Sequence, residues 1–369
     1  MPVASVVAAL VMTAVTTVTS PMPSAAPGSV PVSGPVSGPV SAAGALPRVS
    51  VAQVLARGLT SPWGLAFLPD GSALVSERDT GRILRVARGG GKPQPVGRVA
   101  GVVPTGEGGL LGLAVPPGAE PSFVYAYITT VRDNRVVRMA WDGQSLGRPR
   151  PVLTGIPRAA YHDGGRLLIS PRGELFIATG DATQGHLAQD RSSLAGKVLR
   201  VTLAGTPFPG NPFPGSPVYS LGHRNVQGLA LDGAGRLWAS EFGEKDVDEL
   251  NWIRPGRNYG WPMHEGATSE PGFVNPAVEW SPTALASPSG LAILNGVAYV
   301  ASLRGEVLWQ VRLRGTDAGR PRAVPLGDLG RLRTVVAAPD GSLWLVTSNT
   351  DGRGDPRAGD DRILRLVVS

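Results

Sequence analysis

Six times along this chain an apolar run is followed by a tight turn, a second apolar run, a loop and a third run carrying arginine or another polar residue. The clearest copies are residues 64–76, turning on Pro69, Asp70 and Gly71, residues 228–240, turning on Asp232 and Gly233, and residues 334–347, turning on Pro339, Asp340 and Gly341. The remaining copies are 112–115 with 123–130 and 134–139, 166–179 closed by 196–201, and 290–301 with 305–313. Apolar runs around an Asp-Gly turn read as β-hairpins, because glycine reaches the positive φ of the turn without a Cβ clash. A single hairpin cannot bury its apolar face, so each copy must pack on the next. A repeat of roughly 45–60 residues is that of propeller blades rather than of helical solenoids. The expected fold is therefore all-β, a six-bladed β-propeller. Residues 48–55 are expected to pair into the blade that ends near Val368, closing the ring and making 48–369 one domain.

Composition supports many turns and excludes several chemistries. There are 50 glycines and 35 prolines among 369 residues, and no long segment has the 3.6-residue apolar period of a βαβ fold. The chain has no cysteine, which excludes disulfides, thiolate metal ligands, a cysteine nucleophile and a covalently attached c-type haem. The formal net charge of +7 comes mainly from arginine. Those arginines are scattered among turns and strand ends, without the single basic patch and interleaved aromatics of a nucleic-acid interface. A basic pocket for a small anion remains compatible with that distribution. Residues 4–18 are uncharged and rich in alanine and valine, the length of a signal-peptide core and short for a membrane span. No lysine or arginine precedes them. Residues 1–20 are read as signal-like and 21–47 as an extended tether of Pro, Ser, Gly and Ala. Export to a secreted, periplasmic or cell-surface location is expected, without stable membrane insertion after processing. A disordered tail on a cytoplasmic protein is the competing reading.

Several stretches could carry chemistry. Tyr161, His162, Asp163, Gly164 and Gly165 place a histidine in a glycine-bearing turn just before the strand that begins at Arg166 and Leu167. An imidazole can take a proton near neutral pH, and a loop histidine can equally be a hydrogen-bonded turn residue. Gly222, His223, Arg224 and Asn225 set a guanidinium and an amide before another blade, suited to a carboxylate and a carbonyl or to knitting two blades together. Residues 240–251 form an acidic loop offering carboxylates and backbone carbonyls, the oxygens that calcium requires, although the spacing is not that of an EF-hand and a solvated acidic loop reads equally well. Arg331 and Arg333 fall on one side of an extended segment, and Arg304 ends a strand in the preceding blade. Arg224, Arg304, Arg331 and Arg333 occupy comparable places in their blades and could converge on a polyanion. The longest loops, 180–194, 206–225 and 241–279, are expected to meet with these motifs at one mouth.

Together, residues 161–167, 222–228, 106–112, 248–251, 258–262 and 287–290 resemble the glucose/sorbosone dehydrogenase family, with the motifs in order over most of 48–369. Members are soluble aldose dehydrogenases that use pyrroloquinoline quinone (PQQ) on a six-bladed propeller. The resemblance implies that His162 is the base removing the proton of the anomeric hydroxyl while hydride passes to the quinone. It implies that Arg224 acts with it and, with Asn225, holds the quinone oxygens. Arg304 falls where the family usually has lysine against the cofactor, and Arg331 and Arg333 match its carboxylate-binding arginines. Gly243 and Glu244 fall where backbone carbonyls bind Ca²⁺, and Glu107 and Asp163 are expected beside the sugar. Three positions depart from the pattern: Glu107 for glutamine, Glu244 for proline and Arg304 for lysine. An aldose substrate and an external electron acceptor, a quinone or a cytochrome, are implied. A propeller lactonase or other hydrolase would need several side-chain metal ligands from different blades, where only one acidic loop is seen. A non-catalytic binding propeller would not need His162, Arg224, Arg331 and Arg333 together.

Overall fold

Each hairpin of the repeat recruits further strands into an antiparallel sheet, and six such sheets form in the computed structural model. The structure describes residues 45–369 apart from Ala119; the signal-like segment 1–20 and residues 21–44 of the tether lie outside the described residues. Blade 1 comprises Pro62–Phe67, Ala73–Glu77, Arg82–Val86 and Gln94–Arg98. Blade 2 comprises Leu110–Ala114, Phe123–Thr129, Asn134–Ala140 and Arg150–Ile156, and blade 3 Leu167–Ile169, Leu175–Ala178, Lys197–Val201 and Val218–Leu221. Blade 4 is built from Val226–Leu231, Leu237–Glu241, Asp248–Ile253 and Val278–Trp280. Blade 5 contains Pro288–Leu294, Val297–Ser302 and Leu308–Arg314, with Asp317–Ala318 and Arg322–Val324 paired to the last of these. Among the described residues the only helical elements are two short 3₁₀ turns.

The ring closes as its sequence suggests. Blade 6 joins Leu332–Ala337, Leu343–Thr347 and Ile363–Val368 to Val49–Ala56, with Val49 opposite Val368. Arg48 N–H donates to the Ser369 carbonyl at 2.7 Å, and Ser369 N–H returns to the Arg48 carbonyl at 2.9 Å. Joining both ends in one sheet leaves no loose blade between them.

The cores lie between blades. Tyr125 and Tyr127 of blade 2 pack with Ile177 and Leu199 of blade 3, and Leu65 and Val75 of blade 1 with Trp344 and Val346 of blade 6. Toward the axis the innermost strands approach closely: a Cβ on Gly112 would stand 2.2 Å from the Gly165 carbonyl oxygen. A side chain there would push blades 2 and 3 apart, which explains the glycine before the leucine of the repeat.

The fourth strands are the elements that the repeat did not foretell. Gln94–Arg98 and Arg150–Ile156 are largely solvent-exposed, so they lack a two-sided apolar pattern and form by pairing to the third strand. One expected loop also falls elsewhere. Leu175 pairs with Val201 and Leu199 with Val218, whereas Lys197 and Leu221 pair at the other end of blade 3. Residues 202–217 therefore lie at the end of the ring opposite His162.

Candidate active site

Loops leading into first strands and out of second strands meet at one end of the ring, and His162 is held there at φ +63°. Its N–H donates to Glu107 Oε2 at 3.0 Å, and its carbonyl accepts from Ala182 N at 3.2 Å. A Cβ on Gly180 would lie 1.8 Å from that carbonyl oxygen; only glycine lets the loop after the second strand close on the turn. Nδ1 of His162 lies 2.8 Å from Asp181 Oδ1. Asp181 is 1% exposed, and it also accepts from Thr183 N on Oδ1 and from Trp261 Nε1 on Oδ2, each at 2.8 Å. A carboxylate only accepts, so the neutral imidazole carries its hydrogen on Nδ1 and leaves Nε2 as the basic nitrogen.

Glu107 stands at the mouth beside this histidine. Its second oxygen accepts from Arg353 Nη1 at 2.8 Å, and Arg353 lies 5.4 Å from the ring of the half-exposed Tyr161. Burial alone would raise the Glu107 pKa, but the His162 N–H and the Arg353 charge outweigh it and hold the carboxyl below its ordinary value. The negative charge of Glu107 is thus matched within the chain.

Asp163 differs from expectation. It is 1% exposed and turned into blade 2, where Oδ1 accepts from Asn134 Nδ2 at 2.7 Å and the Asp163 carbonyl accepts from Tyr127 OH at 2.8 Å. Burial raises its pKa above the ordinary value. The left-handed His162 reverses the chain, so its neighbour points inward rather than toward a sugar.

The arginines converge in part. Arg331 and Arg333 both donate to Asp351 Oδ2 at 3.2 Å, and Arg333 Nη1 reaches Gln227 Oε1 at 2.9 Å. Burial pushes the Arg333 pKa down to about 10, with Asp351 opposing that shift. The Asp351 pKa, which burial would raise, is held below its ordinary value chiefly by Arg333 and Arg331. Arg224 stacks 5.3 Å from the Trp261 ring and pairs with no carboxylate among the described residues. Asn225 is fully buried, with Oδ1 accepting from Gly164 N at 3.1 Å. Arg224 Nε, Asn225 Nδ2 and Arg333 Nε are buried donors without an acceptor. Such orphans are costly unless a ligand supplies one. Arg304 is exposed, next to Leu303, whose carbonyl accepts from Arg331 Nη1 at 3.4 Å.

The acidic loop is organised from outside itself. Glu265 Oε1 accepts from the N–H groups of Glu244, Lys245, Asp246 and Val247 at 2.7, 2.9, 2.9 and 3.2 Å. In a trans peptide the C=O points opposite to the next N–H, so the carbonyls of Gly243 and Glu244 turn away from Glu265. Neither accepts a hydrogen bond among the described residues. Gly243 N–H donates to the buried Asp248 at 2.9 Å. No cluster of three or more His, Cys, Asp or Glu side chains placed to hold a metal occurs among the described residues, so any cation here would rely on main-chain oxygens and a ligand.

Asp181, Trp261, Glu265, Asp351 and Arg353 are the residues that sequence reasoning missed. One signal was available: Glu77 and Glu241 end second strands, and Asp181 and Asp351 follow them within a few residues, which marks that edge of the ring as acidic. Trp261 falls in the 258–262 motif, but nothing local reveals that it or Glu265 reaches the mouth, because the 254–277 excursion returns there only through tertiary contacts.

Behind Arg224 lies a buried acid pair. Glu241 accepts from the Arg224 N–H and lies 2.8 Å from His223 Nδ1, while Glu249 accepts from Asn251 Nδ2 at 2.8 Å. Burial first, and Glu241 second, push Glu249 up to about 8. A carboxyl raised in the folded state stabilises most below its unfolded value, and that contribution is lost as pH rises through the folded one. Urea unfolding is therefore expected to show stability declining as pH increases from the normal glutamate range to about 8, a slope that Glu249→Gln removes. An unchanged slope in the variant would assign the decline to other groups.

The sequence pattern of the Glucose / Sorbosone dehydrogenase family matches residues 59–365. The solved PQQ-bound form of an aldose sugar dehydrogenase from Streptomyces coelicolor is similar over 88% of this chain and 98% of that one, with 54% identity and a TM-score of 0.84. The aldose sugar dehydrogenase of Escherichia coli K12 is 30% identical over 347 residues, 84% of this chain and 92% of that protein. Quinoprotein glucose dehydrogenase B of Acinetobacter calcoaceticus is 33% identical over 289 residues, 68% of this chain and 60% of that protein.

Proposed function

The chain belongs to the glucose/sorbosone dehydrogenase family, and on that premise we propose that it oxidises the C1 hydroxyl of aldose sugars to lactones with PQQ as hydride acceptor. One arrangement carries the reading: a histidine oriented by a buried aspartate, beside buried donors of Arg224, Asn225 and Arg333 that have no acceptor of their own. PQQ is a tricarboxylated quinone, and these donors, with Arg331 and the exposed Arg304, fit its oxygens and charge. When bound, the quinone supplies the acceptor that the protein's own side chains lack.

The chain's residues supply binding and proton handling. His162 Nε2 takes the proton of the anomeric hydroxyl, and Asp181 stabilises the imidazolium that results. The C1–H leaves as hydride, so the sugar loses two electrons and two hydrogens and becomes the lactone. Trp261 keeps Asp181 in place, and Glu107 holds the peptide that carries His162. Arg353 lies at the mouth between Glu107 and the Tyr161 ring. Electrons then leave to an external quinone or cytochrome.

Ca²⁺ is proposed at the outward carbonyls of Gly243 and Glu244, where a hard cation finds oxygen donors. Glu244 for proline is compatible with this, because the ligand is the main chain and Glu265 supplies the rigidity. Glu265→Ala is expected to raise the Ca²⁺ concentration for half-maximal reconstitution by about tenfold or more, as loss of a residue supporting a ligand does. An unchanged Ca²⁺ requirement would remove Glu265 from that role. Export, directed by residues 1–20 with 21–47 as tether, is part of the same proposal; among the described residues no helix is long and apolar enough to cross a membrane.

The test is reconstitution of the purified chain with PQQ and Ca²⁺, following dye reduction over a panel of aldoses. Turnover that requires PQQ and disappears in His162→Ala is the expected result. A chain that binds no PQQ and oxidises no aldose would overturn the proposal.

A further inference from the structure

The third strand of blade 3 begins with Lys197, which is 0% exposed and forms no ion pair among the described residues. Its Nζ donates to three main-chain carbonyls: those of Leu187 at 2.7 Å, Ala188 at 3.0 Å and Ala195 at 2.7 Å. Leu187 and Ala188 end the short 3₁₀ turn Gly185–Ala188, where a helical turn leaves its last carbonyls to outside donors. An ammonium has three hydrogens for three acceptors, and a neutral amine only two. Burial pushes the Lys197 pKa down to about 7, with Asp190 opposing that shift. A buried charge without a counter-ion is costly, and here the carbonyls of the turn offset that cost.

The turn that Lys197 gathers is also the support of Trp261. The Ala188 carbonyl accepts a second bond, from Gly222 N at 3.0 Å, and the Gly222 carbonyl accepts from Trp261 N at 3.0 Å. The next residue, Gln189, donates from Nε2 to the Trp261 carbonyl at 2.6 Å and exchanges side-chain bonds with Asn258 at 2.7 and 3.1 Å. At its start the turn lies against the indole: a Cβ on Gly185 would stand 3.3 Å from Trp261 Nε1. The N–H, the carbonyl and the ring of Trp261 are thus all met from this turn, directly or through Gly222. The indole itself donates to Asp181 and faces Arg224.

We propose that Lys197 is a positioning residue for the candidate active site: its carbonyl bonds set the 3₁₀ turn, the turn fixes the Trp261 indole, and the indole holds Asp181 against His162 and seats Arg224. Being wholly buried, Lys197 reaches neither substrate nor cofactor and acts only through this chain of contacts. A methionine at this position keeps most of the side-chain volume and strips three carbonyls of a charged donor, which loosens the turn without opening a large cavity. The catalytic consequence rests on the dehydrogenase reading. The ordering of Trp261 does not, so the two can fail separately.

The test follows exchange of the indole N–H protons with solvent in the full chain without cofactor, by heteronuclear NMR. The Trp261 signal is assigned by its loss in Trp261→Phe. Trp238, whose Nε1 donates to Asp232 Oδ2 at 3.1 Å at the far end of blade 4, is the control. In Lys197→Met the Trp261 proton is expected to exchange about tenfold faster or more, with Trp238 unchanged. Gln189→Ala leaves the ammonium and its carbonyls in place and should accelerate Trp261 as well. After reconstitution, kcat of Lys197→Met for aldose oxidation should fall about tenfold with KM unchanged. Equal acceleration of both indoles would make Lys197 a general stabiliser and overturn the proposal. An unchanged Trp261 in either variant, or a full kcat despite a loosened Trp261, would overturn it too. If Lys197→Met does not fold, Gln189→Ala decides. If the parent chain oxidises no aldose, the dehydrogenase reading fails while the exchange rates still decide whether Lys197 orders Trp261.

Discussion

Asp181→Asn is expected to lower kcat for aldose oxidation by about 10²–10⁴, the range for loss of a positioned general base, with PQQ affinity nearly unchanged. Both carboxylate oxygens are committed to donors: Oδ1 to Thr183 N and the His162 ring, Oδ2 to Trp261 Nε1. An asparagine must turn its NH₂ toward one side. Toward Trp261 it sets two donors against each other and displaces the indole on which Arg224 stacks. Toward His162 it makes Nδ1 the acceptor, which puts the hydrogen on Nε2 and removes the base. Single-turnover reduction of the cofactor together with a PQQ titration separates these consequences. A rate loss below tenfold, or an equal loss of PQQ affinity, would show that Asp181 does not act through the imidazole.

Asp351→Asn is expected to destabilise the cofactor-free chain by about 3–5 kcal/mol, the cost of stripping the partner from a buried charge pair. Arg331 and Arg333 share this one carboxylate and are themselves buried, so the substitution leaves two guanidiniums repelling each other in a poorly solvated site. The folded pKa of Asp351 is depressed, so its contribution is present above the ordinary aspartate range and is lost as pH falls through the lower folded value. Acid unfolding should accordingly be less steep in the variant. PQQ brings carboxylates of its own, so the variant should gain more in melting temperature from saturating PQQ than the parent does. An equal gain in both would mean that the cofactor carboxylates do not meet Arg331 and Arg333.

The blades were legible because they are written locally. The turn at Pro69, Asp70 and Gly71 and the leucines around it need only their neighbours to declare a hairpin. The outer strands were not, since 150–156 is mostly exposed and takes its conformation from its partner. At the candidate site, the glycine turn that carries His162 was visible, as was the placement of Arg331 and Arg333 on one side of a strand. Asp163, placed beside the sugar by resemblance, is held inside by Asn134 and Tyr127 of blade 2, contacts that appear only once the blades pack. Trp261 lies 80 residues from the aspartate it touches, and no spacing rule connects them.

Blade number, the joining of Val49 to Val368 and the position of the histidine turn thus follow from periodicity and turn chemistry, which act over a few residues and survive without knowledge of the rest. Which charges face one another was settled only by the folded sheets: the first hairpin of blade 3 brings Asp181 to His162 and that of blade 6 brings Asp351 to two arginines, while closing the ring brings Arg353 onto Glu107. These pairings depend on burial as much as on proximity: away from water an ion pair or an orphan donor weighs several times more than at the surface, and burial is a property of the assembled propeller rather than of any one segment.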